Sequence, residues 1–139
     1  MMKKVNSILL IDDDEATNFL HKIIIKRADC AHNIVAVDSG PKALEFLNTK
    51  VNGEYPRPDI IFLDINMPIM DGWEFLEEYK KLDKKTHAAK IVVMLTTSLN
   101  PDDREKAKSL DLLDGFMNKP LTQDMLQDLL QKFHASNLK

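Results

Sequence analysis

The chain has 139 residues, 44% hydrophobic and 29% charged, which suits one globular domain with a sizeable core and argues against a second. A formal charge of −3 and a pI near 5.8 exclude the dense positive field that nucleic acid or an anionic lipid surface requires. The one cysteine, Cys30, cannot form an internal disulfide; no Cys/His cluster suggests zinc, and no apolar run approaches the roughly 18 residues of a membrane-spanning helix.

The first apolar run, Ser7 to Ile11, breaks at Asp12-Asp13-Asp14-Glu15. Met1-Met2-Lys3-Lys4 precedes it, but the run is too short for a signal peptide and lacks a small-residue cleavage site, so it reads as a buried strand in a cytoplasmic protein. Ala16, Phe19, Leu20, Ile23 and Ile24 then recur at helical spacing. Further strands are predicted at Ile34 to Val37, Ile60 to Leu63, Ile91 to Leu95 and Gly115 to Met117.

Ser39-Gly40-Pro41, Asn100-Pro101-Asp102-Asp103 and Thr122 supply start signals for helices over Lys42 to Leu47, Arg104 to Leu110 and Gln123 to Phe133. Met125, Leu126, Leu129, Leu130 and Phe133 form the apolar stripe of the last one. Val51 to Pro58 is turn-rich and reads as a loop, Lys80, Lys81, Lys84 and Lys85 around Asp83 read as a solvated helix end, and His134 to Lys139 reads as a polar tail. Strand and helix alternate about five times, which predicts an α/β fold: a doubly wound parallel sheet with helices on both faces.

Ligands of such sheets bind outside the carboxyl ends of the strands. Asp12, Asp13, Asp64, Thr96, Phe116, Lys119 and Pro120 all stand at or near those ends. Singly, each has an ordinary explanation: a helix-start acid pair, a turn aspartate, a capping threonine, a core aromatic, a solvated lysine. Together, three carboxylates at one edge repel unless a cation joins them, and oxygen ligands without thiolate favour magnesium or manganese. Asn66 offers a main-chain carbonyl two residues past Asp64, where Met67-Pro68 and an Asp71-Gly72 turn tighten the loop. Lys119 would offset part of the acidic charge and pair with a phosphoryl oxygen, and its bond to Pro120 is a candidate cis peptide.

The ordered combination of Asp12-Asp13, FLDINMPIMDG around Asp64, Thr96 and Lys119-Pro120 resembles the receiver domain of two-component response regulators, from Ile8 to about Phe133. The resemblance implies a flavodoxin-like (βα)5 sheet of strand order 2-1-3-4-5. It implies that Asp64 takes a phosphoryl group from a phosphohistidine and that Asp13, Asp64 and the Asn66 carbonyl hold Mg2+, with Asp12 acting directly or through water. Lys119 would stabilise the transition state, Thr96 would bind a phosphoryl oxygen, and Phe116 would then turn inward. Phe116, a phenylalanine, offers no hydroxyl bond to either rotamer. Thr97 stands where many receivers carry alanine or glycine, and Asn66 and Ser98 flank the path of a hydrolytic water.

The implied protein is a single receiver domain with its core at about residues 6–134 and no output domain. It is a switch rather than an enzyme, catalysing only its own phosphorylation and dephosphorylation. Its implied partners are a sensor histidine kinase or histidine phosphotransfer protein and a downstream target protein; a homodimer through the fourth helix, fifth strand and fifth helix is a further possibility. The helix face near Asn18 and Lys22, with the loop after Pro120, is the expected docking surface for the phosphodonor. Two other readings are a haloacid-dehalogenase-type phosphohydrolase and a pseudo-receiver that only binds partners. The first would use Asp12 and Asp14, but Ala16 stands where its threonine belongs and the length leaves no room for a substrate-selecting cap; the second conflicts with the full set of pocket residues.

Overall fold

The computed structural model describes residues 4–82, 89, 91–97, 100–109 and 113–137. Chain order is β1 (Val5–Ile11), α1 (Glu15–Ala28), β2 (Ala31–Val37), α2 (Gly40–Leu47), β3 (Ile60–Asp64), α3 (Gly72–Lys80), β4 (Ile91–Thr96), α4 (Pro101–Lys108), β5 (Gly115–Asn118) and α5 (Gln123–Asn137). All neighbouring strands are parallel, in the order β2-β1-β3-β4-β5.

The unbroken apolar runs of β1, β3 and β4 follow from burial on both faces. Ile8, Leu10, Ile60, Phe62, Ile91, Val93 and Leu95 face a core closed by Ile25 of α1 and Leu126, Leu129, Leu130 and Phe133 of α5. Leu9, Ile11, Ile61, Leu63, Val92 and Met94 face the other core, closed by Ala43 and Leu47 of α2, Phe75, Leu76 and Tyr79 of α3, and Ala107 of α4. The same alternation sorts the strand ends. Asp12 and Asp64 continue the rows that face α1 and α5, whereas Thr96 continues the Val92 and Met94 row that faces α3 and α4.

Several element ends differ from the sequence expectations. β1 and β2 begin two and three residues earlier, at Val5 and Ala31, because pairing in a sheet admits polar residues that a hydrophobic run does not reveal. α5 runs on to Asn137 and absorbs most of the expected tail. Asp71 and Gly72 start α3 rather than form a free turn: Asp71 accepts the Glu74 N–H while Glu74 accepts the Asp71 N–H. The expected starts of α2, α4 and α5 are occupied by Ser39, Asn100 and Thr122, whose side chains accept backbone N–H groups of Lys42, Asp102 and Met125. Lys80 and Lys81 are solvated and pair with Glu77 and Glu78; Asp83, Lys84, Lys85, Ser98 and Leu110 lie outside the described residues.

The largest correction concerns α1. Its apolar spacing marked Ala16, Phe19, Leu20, Ile23 and Ile24; Ile23 and Ile24 are half-buried and Ile24 packs against the core, but the fully buried residues are Asn18, His21 and Ile25. Phe19 and Leu20 are 67% and 42% exposed. Backbone carbonyls and the β5–α5 segment beneath the helix want polar partners, and Asn18 and His21 supply them.

Candidate functional site

Parallel pairing sets Ile11 beside both Val37 and Leu63, so Asp12 and Asp64 emerge at the same sheet edge. Asp12, Asp13 and Asp64 each offer a carboxylate oxygen within 4.8 Å of the other two. Asp12 and Asp64 are buried and Asp13 is exposed. Lys119 Nζ reaches Asp12 Oδ2 at 2.6 Å and Asp64 Oδ1 at 3.0 Å. Asp12 Oδ1 accepts the Asp14 N–H at 2.9 Å, so both oxygens of Asp12 are engaged.

Three carboxylates against one ammonium leave a formal charge of −2. Burial pushes the Asp64 carboxyl up to about 6, with the Asp12 charge and the proximity of Asp13 adding to it and Lys119 opposing it. Burial also works against the charge of Lys119, but Asp12 and Asp64 together hold its pKa above the ordinary value. An all-oxygen donor set with this residual charge fits one hard divalent cation, as Mg2+ or Mn2+.

The remaining predicted residues fall around this cluster. Thr96 ends β4 at 1% exposure, and its carbonyl accepts the Lys119 N–H at 2.7 Å. The Lys119–Pro120 peptide is cis. Asn66 is exposed, two residues past Asp64 on the loop that leads to α3. Gly72 closes that loop: its N–H bonds the Ile65 carbonyl at 2.7 Å, and a Cβ there would lie 2.6 Å from the Asp64 carbonyl oxygen. Asp14 turns away, accepting the Thr17 hydroxyl at 2.6 Å, and does not join the carboxylate cluster, so the Asp12 and Asp14 pairing of a phosphohydrolase is not formed.

Phe116 lies opposite Met94 in the β4–β5 register and stacks on Trp73, with ring centroids 6.4 Å apart and planes 17° from parallel. Trp73 in turn ties α3 to α4: its Nε1–H donates to Asp103 Oδ1 at 3.2 Å, and Lys106 Nζ lies 4.9 Å from its ring centroid. Sequence reading missed Trp73, took Asn18 for part of an exposed docking face, and missed His21. For the last two a signal existed, since Asn18, His21 and Ile25 recur at the spacing of one helix face; the competing stripe of larger apolar residues hid it.

Comparison with known proteins supports the geometry. The response regulator receiver domain family matches residues 8–131. The response regulator Rcp1 of Synechocystis sp. is 38% identical over 69% of this chain and 65% of its own length. Hybrid signal transduction histidine kinase L of Dictyostelium discoideum is 26% identical over 94% of this chain but only 7% of its own. The chain thus spans less than two thirds of these relatives. A two-component response regulator from Cytophaga hutchinsonii superposes with a TM-score of 0.85 at 38% identity, over 96% of this chain and 99% of that one. The Mn(2+)-bound form of Rcp1 superposes with a TM-score of 0.69 at 31% identity, over 94% and 90%. Sheet order, acidic edge and matched span agree: the chain belongs to the response regulator receiver domain family of two-component signalling.

Proposed function

We propose that Asp64 is a phosphoacceptor served by a histidine kinase or histidine phosphotransfer protein. The observation that carries this reading is the placement of Lys119 Nζ between Asp12 and Asp64 at the acidic edge. An Asp64 oxygen attacks phosphorus in line; the new O–P bond forms as the P–N bond of the phosphohistidine breaks, and the imidazole leaves with that electron pair. Lys119 then shifts its pairing toward a phosphoryl oxygen, and Thr96 donates its hydroxyl to another.

Asp13, Asp64 and the Asn66 carbonyl would hold Mg2+, with Asp12 reaching it directly or through water. When bound, the ion neutralises the developing charge on the phosphoryl oxygens. The phosphoryl group carries roughly −1.5 to −2 charge at neutral pH in place of the single charge of the carboxylate, together with three strong acceptor oxygens. Movement of Thr96 toward it opens space for Phe116, which shares its sheet face, to leave Trp73 and turn inward. That rearrangement is the signal read by a downstream target protein.

The exposed side chains of α1 and the loop after Pro120 form the docking face for the phosphodonor. Asn18 is largely buried but lines, with Asp13, Phe19 and Lys22, a groove of about 540 Å³, and the exposed Phe19 and Leu20 join Lys22 in the docking face. Charge reversal at Lys22 is expected to slow transfer from the phosphodonor; an unchanged rate would remove this face from the reading.

The test is intact mass after incubation with acetyl phosphate and Mg2+, with Asp64→Asn and EDTA controls. A gain of one phosphoryl group that both controls abolish is the expected result. Without an adduct on the native chain, beryllofluoride binding separates rapid hydrolysis from a site that does not work; failure of both would overturn the reading in favour of a module that only binds partners.

A further inference from the structure

The inward face of α1 carries two polar side chains, Asn18 at 8% and His21 at 2% exposure. Neither belongs to the acidic cluster or is needed to close a core, since Ile25 does that for this helix. Asn18 Nδ2 donates to the carbonyls of Asp12 at 2.9 Å and Val37 at 3.2 Å. One turn further along, His21 Nε2 accepts the backbone N–H of Leu121 at 3.2 Å, across 100 residues of chain.

Leu121 offers the first backbone N–H after Lys119, because Pro120 has none. The segment carrying Lys119 is therefore pinned by two bonds: Lys119 N–H to Thr96 O on β4, and Leu121 N–H to His21 Nε2 on α1. The first restrains the strand side of Lys119 and the second the helix side. Lys119 reaches both Asp12 and Asp64 from between them.

We infer that Asn18 and His21 are positioning residues that hold the two halves of the Asp12–Lys119 pair in register: Asn18 fixes the end of β1 that bears Asp12, and His21 fixes the segment that bears Lys119. The catalytic consequence rests on the phosphoacceptor reading, whereas the geometric one does not. Accepting the Leu121 N–H requires the imidazole proton on Nδ1 and an open lone pair on Nε2. Burial helps, pushing the His21 pKa below its ordinary value despite the Asp12 charge, with Lys119 acting in the same direction as burial. A leucine would fill the same space but leave the Leu121 N–H without a partner inside the protein, so the loop would relax toward solvent.

The experiment compares the native chain with His21→Leu and with His21→Gln, whose Oε1 can stand where Nε2 does. Three quantities are read: amide hydrogen exchange at Leu121 by NMR, the rate constant for phosphorylation by acetyl phosphate at saturating Mg2+, and Mg2+ affinity by calorimetry. In His21→Leu, Leu121 exchange is expected to rise and phosphorylation to fall, each about tenfold, with Mg2+ affinity unchanged because Asp13 and Asp64 do not lie on the loop. His21→Gln restores both quantities to within about threefold. Native exchange and rate in the leucine variant, a glutamine variant as impaired as leucine, or a parallel loss of Mg2+ affinity would each overturn the inference. If His21→Leu does not fold, His21→Asn, whose amide stops short of Leu121, takes its place. Absence of both an adduct and beryllofluoride binding on the native chain would overturn the phosphoacceptor reading instead, and Leu121 exchange would still decide whether His21 holds the loop.

Discussion

Nζ of Lys119 lies 3.0 Å from Oδ1 of Asp64, with side-chain exposures of 11% and 5%. A buried pair of this kind is strongly perturbed when one partner is removed, because the charge left behind has lost its compensation. Lys119→Met is therefore expected to raise the Asp64 pKa further and to slow phosphorylation by acetyl phosphate about a hundredfold. Side-chain carboxyl shifts followed by NMR across pH, together with the rate constant, check both effects. An unmoved Asp64 titration would show that the pair contributes nothing to the site.

The carboxyl of Asp64 sits at about 6 in the folded chain against an ordinary 3.8. Between these values the folded protein keeps a proton that the unfolded chain has lost. Stability of the metal-free protein therefore falls as pH rises through that window and stays lower above it. Asp64→Asn carries no such charge and is expected to be more stable than the native chain by about 1 to 3 kcal/mol near pH 7, with the gap closing toward about pH 4. Urea midpoints across pH measure this directly; a gap independent of pH would refute it.

Asp13 is the exposed member of the carboxylate cluster, while both oxygens of Asp12 are already engaged by Lys119 and the Asp14 N–H. Asp13→Asn is expected to weaken Mg2+ binding at least about tenfold. At about a hundred times its dissociation constant, Mg2+ should stabilise the native chain by about 2.7 kcal/mol through mass action, an effect that EDTA reverses. Calorimetric titration and thermal midpoints with and without the ion are the checks. Equal affinity in the native and Asp13→Asn chains would move the site elsewhere.

Trp73 touches Phe116 on one side and Asp103 and Lys106 of α4 on the other. It is the chain's one tryptophan, so its emission reports this junction alone. Beryllofluoride with Mg2+ is expected to shift that emission in the native chain. In Phe116→Leu the shift should largely disappear while phosphorylation continues at close to the native rate. A full shift without the Phe116 ring would dissociate Trp73 from the switch.

A Cβ at Gly72 would lie 2.6 Å from the Asp64 carbonyl oxygen and 3.0 Å from Ile65 Cα. Both are backbone atoms of β3 and the loop after it, which cannot yield as a flexible side chain does. Gly72→Ala should cost about 1 to 3 kcal/mol by overpacking and slow phosphorylation by displacing Asp64. Chemical denaturation and the acetyl phosphate rate together test this; native values in both would show that α3 can back away at no cost.

The amino-acid sequence by itself determined the layered α/β architecture, because strands buried on both faces must be continuously apolar and the helices between them carry local start signals. It also marked Asp12, Asp13, Asp64, Thr96 and Lys119, since the ends of parallel strands fall at one edge. Only the tertiary structure decided which face of α1 turns inward. Local hydrophobicity favoured Phe19 and Leu20, but the carbonyl of Asp12 and the N–H of Leu121 needed partners, and Asn18 and His21 meet them. The stack of Phe116 on Trp73 was equally hidden, because it depends on how α3 packs against β5, elements far apart in sequence. Strand pattern is a local property and can be read from neighbours along the chain; hydrogen-bond satisfaction and ring contacts are settled only when distant segments meet.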